Sequence, residues 1–344
     1  MVAIARRLPH DNNWVRGPKQ STGAARVLNH AGRPAARGLF ASRGVAHASC
    51  DAVPTVVLSC SAEPDAARWP VEALRRAGWR GAIEIVRPSD PLPEVEACAL
   101  LLAGGVDVEP RHWDPGDGSA SAGEVDPARD AIELDLVARA WARRLPILGL
   151  CRGAQLLAVS RGGRLCSDIA TACGGDPTDH QHGTAKDDGV RHRVDVHARS
   201  RLARIVGAVR VEVNSRHHQA VRVPGDGLVA VAHDPDTRMP EGLLVEAIEA
   251  LDPSRWVVGV QWHPENLVHR IDAAGVAAFR LFAHFVRAAK IAARGDGALG
   301  ERAETATNSA VFALLDRVEA PLAVLDARVE PIVAQSAEIH HRGQ

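Results

Sequence analysis

The stretch Pro146-Ile147-Leu148-Gly149-Leu150-Cys151-Arg152-Gly153-Ala154-Gln155-Leu156-Leu157 sets the fold, because an apolar run halts at Gly-x-Cys-x-Gly and apolar residues then resume beyond it. A short apolar run bounded by turn residues reads as a buried strand, and Gly153 onward reads as the helix it feeds. Upstream, Pro127 to Arg144 places Ile132, Leu134, Leu136, Val137 and Trp141 on a helix that starts after Asp126, an N-cap followed by Pro at the first helical position. Three more apolar β-type runs precede it, at Thr55 to Ser59, Ile83 to Val86 and Ala97 to Ala103. Strands alternating with helices predict an α/β fold, a doubly wound and mostly parallel sheet covered on both faces.

Beyond Asp168 the pattern changes to strict alternation at Arg193 to His197, Val209 to Val213 and Leu228 to Val231. These segments predict half-exposed antiparallel strands added to the sheet. Arg255 to Gln261 reads as another buried strand, followed after Trp262-His263-Pro264-Glu265 by a long amphipathic helix from about His269 to Arg294.

Composition narrows the functional classes. The 344 residues carry 41 basic and 42 acidic groups, a formal charge of −1, so no global field draws the protein to nucleic acid. No run approaches the roughly 18 apolar residues that cross a bilayer, and the N-terminus lacks a secretory apolar stretch. Six cysteines at 50, 60, 98, 151, 166 and 173 form no CxxC pair, which fits a reducing cytoplasm. Residues 1–53 hold eight basic groups against Asp11 and Asp51 with no apolar period, and read as a disordered basic leader. A transit peptide, a nucleic-acid arm and a plain solvated extension all fit that composition. Residues 54–294 hold all of these strands and helices and read as one domain. Residues 295–344 read as a linker and an accessory helical tail, apolar from Val311 to Val333 with breaks at Pro321 and Pro331, suited to self-packing or a homo-oligomer contact.

Three segments carry the candidate chemistry. Cys151 stands at a strand-to-helix turn, the sulfur version of a nucleophile elbow, where the helix N-terminus favours thiolate. The same turn aims the amide of Arg152 at a carbonyl that the sulfur attacks, half of an oxyanion hole. The strand Leu101-Leu102-Ala103 runs into Gly104-Gly105, whose backbone can approach a ligand closely, and no G-x-G-x-x-G fingerprint is present. His263 and Glu265 sit two apart at the end of a strand, where Pro264 keeps His263 out of helical geometry. A thiol nucleophile, an imidazole to carry its proton and a carboxylate to orient that imidazole make up a complete set.

The four segments Leu148-Gly-Leu-Cys-Arg-Gly-Ala-Gln155, Gly104-Gly-Val-Asp-Val-Glu-Pro110, Val213-Asn-Ser-Arg-His-His-Gln-Ala220 and Gly259-Val-Gln-Trp-His-Pro-Glu265 resemble the class I glutamine amidotransferase superfamily. Within it they are most similar to the γ-glutamyl-γ-aminobutyrate hydrolase group, from about Pro54 to Arg294. The resemblance implies a flavodoxin-like sheet and hydrolysis of a small-molecule γ-glutamyl amide through a thioester. It makes Cys151 the nucleophile, His263 the acid/base and Glu265 the orienting carboxylate, with amides near Gly105 and at Arg152 as the oxyanion hole. It places Gly104, Gln155, Asn214, Ser215, His217 and His218 beside the substrate. Arg129-Asp130 with Glu133 resembles a family motif, and by itself reads as helix capping and a surface pair. Ala158, Ser160 and the Glu241-Gly242 turn depart from the family pattern, which bears on the substrate pocket.

No cofactor is implied. Metal-dependent hydrolysis through His180, His182, His192, His197 or His217-His218 is not expected, because no H-E-x-x-H or CxxC arrangement is present. The alternative function is a glutaminase subunit that hands ammonia to a separate synthetase partner, with Val311, Leu314, Leu315, Val318, Leu322 and Leu325 as a docking stripe. The 50 residues past 294 are too few for a fused ammonia-accepting domain.

Overall fold

The computed structural model describes residues 53–294 apart from 115–122, 175–179, 181–189 and 241. The basic leader short of Val53, the helical tail with its docking stripe, His182 and Glu241 all lie outside the described residues.

The strands are β1 (Thr55–Ser59), β2 (Ala82–Val86), β3 (Ala97–Leu102), β4 (Ile147–Leu150), β5 (Arg164–Cys166), β6 (Val190–Val196), β7 (Arg210–Ser215), β8 (Ala220–Val223), β9 (Leu228–Met239), β10 (Gly242–Ala250) and β11 (Val257–Val260). The helices are α1 (Arg68–Arg76), α2 (Pro127–Ala142), α3 (Arg152–Val159), α4 (Ile169–Cys173), α5 (Arg201–Val206) and α6 (Ala273–Ala293). Nine strands form one sheet in the order β2-β1-β3-β4-β11-β10-β9-β6-β7. The first five are mutually parallel, and from β10 onward every pairing is antiparallel. The order of the parallel half is that of flavodoxin-like sheets. The fold is therefore the α/β doubly wound sheet with added antiparallel strands.

Period two along the strands feeds two separate cores. Val56, Leu58, Leu101, Leu148 and Val258 face one side, where they pack with Leu74 and Trp79 and with Phe282 and Phe285 of α6. Val57, Leu100, Leu102, Ile147 and Val257 face the other, against Ile132, Leu136 and Val137 of α2 and Leu156 and Leu157 of α3. Both faces being covered, the parallel strands read as continuous apolar runs and were legible as such. The α2 start is capped as its sequence predicts, with the Asp126 side chain accepting from the Arg129 amide at 3.0 Å and Pro127 at the first position.

Two expectations shift. The closing helix begins at Ala273, because Asp272 caps it by accepting from Gly275 N at 3.0 Å and Pro264–Asn266 forms a separate 3-10 turn. The short strand expected at Leu228 to Val231 runs on to Met239 and pairs with β10, whose register shifts at three places. Pro235 and its flanking aspartates look like a turn in the sequence, and the irregular register accommodates them within the ladder.

Gly153 brings α3 against β3. A Cβ there would stand 2.3 Å from the Leu102 carbonyl oxygen, which is backbone and cannot rotate away. Gly153→Ala is expected to cost about 1–3 kcal/mol through overpacking, each kcal/mol lowering Tm by about 2–4 °C. Calorimetry of the variant checks this, and an unchanged Tm would contradict the packing.

Candidate active site

The chain leaves β4 directly into Cys151, which caps α3 with φ +49° and ψ −109°. Positive φ in a residue with a Cβ is held only where the surroundings demand it. Here Gly149 and Gly153 make the turn possible, since a Cβ on Gly149 would come within 2.6 Å of the Gly153 carbonyl oxygen. The sulfur is thus carried at the N-terminus of a helix, at the carboxyl end of a central parallel strand. Cys60, Cys98 and Cys166 sit elsewhere as free thiols raised by burial, Cys98 to about 11, which fits small apolar packing residues.

The end of β11 brings in His263 and Glu265. His263 Nδ1 lies 2.7 Å from Glu265 Oε1, which fixes that nitrogen as the protonated one and leaves Nε2 for the sulfur. Burial pushes the imidazole pKa down, but the charges of Glu265 and Cys151 and its hydrogen bonds to both outweigh burial and hold it up at about 9. All three side chains are buried. Gly104 makes room for the ring: a Cβ there would be 2.7 Å from His263 Cε1 and 3.5 Å from Cys151 Cβ. The Gln261 side-chain amide stands 3.6 Å from Cys151 Sγ.

An open cleft of about 540 Å³, its mouth included, reaches Cys151 and is lined by Gly105, Arg152, Gln155, His217 and His218 among the expected residues. Asp107, Glu124, Arg216 and Gln219 complete its polar wall. His218 sits at the mouth with Nε2 2.9 Å from Asp107 Oδ2, and that hydrogen bond raises its pKa despite partial burial. Gln155 lines the cleft while its side-chain nitrogen donates to the Gln219 carbonyl at 2.7 Å. Asn214 and Ser215, expected beside the substrate, are both fully buried and do not line the cleft. Asn214 instead grips the backbone of His263 from both sides, its Nδ2 donating to the His263 carbonyl at 2.9 Å and its Oδ1 accepting from the His263 amide at 3.0 Å.

Arg129, Asp130 and Glu133 are not the surface pair that i, i+4 spacing suggests; all three are fully buried. Arg152, the residue after Cys151, makes ion pairs with both Glu133 and Asp130. Arg129 donates to Glu133 at 2.8 Å and to the Ala103 carbonyl at 2.9 Å, and the Ser59 hydroxyl donates to Glu133 at 2.7 Å. Burial raises the Glu133 pKa in isolation, yet Arg152 and Arg129 hold the carboxyl below its ordinary value. The network joins α2, the start of α3 and the end of β3, so it fixes Gly104-Gly105 relative to Cys151. Each charge is identifiable in the sequence, but its burial is not, because Arg152 supplies the opposite charges from a distant segment.

The Peptidase C26 family model matches residues 93–265. YvdE of Lactococcus lactis, named for its likeness to glutamine amidotransferases, is 37% identical over 48% of this chain and 65% of its own length. Protein NtpR of Enterococcus hirae is 36% identical over 59% of this chain and 87% of its own. The γ-glutamyl-γ-aminobutyrate hydrolase PuuD of Escherichia coli K12 is 30% identical over 41% of this chain and 54% of its own. The chain thus spans about two thirds of YvdE and about half of PuuD. It belongs to the Peptidase C26 family, which is class I glutamine amidotransferase-like.

Removing Glu133 leaves two buried guanidinium groups short of a counter-charge. Glu133→Gln is expected to destabilise by about 3–5 kcal/mol, read as a lower midpoint in urea unfolding at unchanged slope. A midpoint equal to the parent would contradict the clamp.

Proposed function

We propose that the chain hydrolyses γ-glutamyl amides, γ-glutamyl-γ-aminobutyrate or a related γ-glutamyl amine or polyamine, and releases glutamate. The observation that carries this reading is the buried His263 between Glu265 and Cys151, with Cys151, Gly105 and Arg152 lining an open cleft. The name of PuuD supports this reaction class, while that of YvdE speaks only of likeness to glutamine amidotransferases.

The chemistry follows from the proton positions. His263 held protonated near neutral pH pairs with a Cys151 thiolate. The sulfur attacks the γ-carbonyl carbon, and the amides of Gly105 and Arg152 receive the developing oxyanion. The C–N bond breaks as His263 Nε2–H passes its proton to the leaving amine, leaving a γ-glutamyl thioester. His263, now neutral, takes a proton from water, whose oxygen attacks the thioester; glutamate leaves and the thiolate–imidazolium pair is restored. Arg216 with His218, and Asp107 with Glu124, present both signs of charge at the wall, which suits the zwitterionic end of a glutamyl group.

Cys151→Ala is expected to reduce glutamate release by about four orders of magnitude or more, and the parent treated with substrate should show a mass increment of one glutamyl group in intact-protein mass spectrometry. Turnover of no γ-glutamyl amide overturns the reading. Ammonia release from glutamine only on adding a host extract would favour the glutaminase subunit instead.

The leaving amine needs the imidazolium, so kcat/KM should hold through neutral pH and fall as pH rises through about 9. Glu265→Gln removes the carboxylate that supports the charged ring and should move that alkaline limb to lower pH as well as lowering kcat. An unmoved limb would show that His263 does not set it.

A further inference from the structure

Behind the cleft wall, three imidazoles converge on a carboxylate that takes no part in the reaction above. Glu246 of β10 is fully buried. Its Oε1 lies 3.6 Å from His217 Nε2, 3.9 Å from His192 Nε2 and 3.9 Å from His180 Nδ1, all beyond hydrogen-bond reach. Both Glu246 oxygens, His192 Nε2 and His217 Nε2 are buried with no hydrogen-bond partner. The ligand atoms of His180, His192 and Glu246 lie within 4.8 Å of one another.

The opposite ring nitrogens show why this arrangement is unbalanced. His217 Nδ1 is 3.1 Å from the Gln219 carbonyl, His192 Nδ1 is 3.2 Å from the Arg193 carbonyl, and His180 Nε2 is 3.0 Å from Asp234 Oδ2. Those partners only accept, so each of these nitrogens carries the ring proton. In the neutral rings, the nitrogens facing Glu246 are then lone pairs. Three lone pairs and a carboxylate meet in a buried space; the Ser215 hydroxyl lies 3.2 Å from His180 Nδ1, whereas both Glu246 oxygens, His192 Nε2 and His217 Nε2 have no donor. Buried acceptors without donors are strongly unfavourable, and a cation at their centre satisfies all of them.

We propose that His180, His192, His217 and Glu246 bind one divalent transition-metal ion, with Zn²⁺ best suited to the donor set. Three imidazoles and a carboxylate are established zinc donors, and tetrahedral bonds of about 2.0–2.1 Å put ligand atoms about 3.3 Å apart, so the 3.6–3.9 Å gaps from the rings to Glu246 must close by a few tenths of an ångström and the rings must draw in toward one another as the ion binds. Asp234 on His180 and the two carbonyls on the other rings are the outer hydrogen bonds that orient metal-bound histidines. The ion is remote from the reacting sulfur in role: His217 belongs to the segment whose Asn214 grips His263, so the metal pins a wall of the cleft. It supplies no step of the hydrolysis.

The test is zinc content by mass spectrometry after the full chain is incubated with Zn²⁺ and desalted. About one ion per chain is expected in the parent and in Cys151→Ala, with a fall to about a tenth or less in Glu246→Gln. The Co²⁺-loaded parent should show tetrahedral visible bands without thiolate charge transfer. Because Glu246→Gln can fold poorly, the parent is also melted with and without chelator, and a Tm lowered by chelation and restored by Zn²⁺ is expected. Three results overturn the proposal: no retained metal in the parent, which leaves a proton on an imidazole to balance Glu246; metal lost with Cys151→Ala, which puts it on the thiol; or full retention in a folded Glu246→Gln.

Discussion

The conformation of Cys151 is the constraint on which the rest of the site depends. A left-handed φ on a residue with a Cβ is unfavourable by about 1–3 kcal/mol, and packing on every side must hold it there. Gly149 and Gly153 let the strand and helix close on one another without steric clash, and the Cys151 amide donates to the Val260 carbonyl of β11 at 2.8 Å. Cys151 is therefore locked to the neighbouring strand, and β11 continues three residues later into His263. Strain at Cys151 and the placement of His263 come from one set of backbone contacts.

Beneath that turn lies the buried cluster of Arg129, Asp130, Glu133 and Arg152. Buried ion pairs are weak stabilisers compared with apolar packing, because desolvating the charges is costly. What the cluster does provide is direction. Arg152 has guanidinium hydrogens on two carboxylates of α2, and Arg129 reaches the carbonyl just before Gly104. The helix before β4, the helix after it and the glycine loop thus share one set of charge-assisted bonds, which tolerate little change of angle.

The two halves of the sheet divide the work. The parallel half delivers Gly104-Gly105, Cys151 and His263 from the ends of β3, β4 and β11, where an open α/β sheet collects a site. The antiparallel half supplies support: Asn214 at the end of β7 holds the His263 backbone, and Glu246 on β10 faces three histidines. The His263 imidazole is thus held by the carboxylate two residues away, and its backbone by an amide from the far side of the sheet.

The parallel strands, the α2 cap and the pairing of His263 with Glu265 were legible in the sequence for local reasons. Buried strands show as apolar runs, caps as Asp-Pro, and a strained turn as glycines on either side of Cys151. His263 and Glu265 are two apart, so their alignment needs no distant partner. The remainder depended on segments far apart in the chain. Arg129-Asp130 and Glu133 look like a solvated pair until Arg152 arrives 19 residues beyond Glu133 to bury them. Asn214 looks like a substrate contact until the sheet order sets it against the His263 backbone. The β9–β10 ladder hides behind Pro235, and the histidines at 180, 192 and 217 have no metal-type spacing because three separate segments carry them to Glu246. Sequence determined the elements and the reactive groups, since these follow from neighbours along the chain; tertiary structure alone decided which buried charges and lone pairs face one another, since that depends on strand order across the sheet.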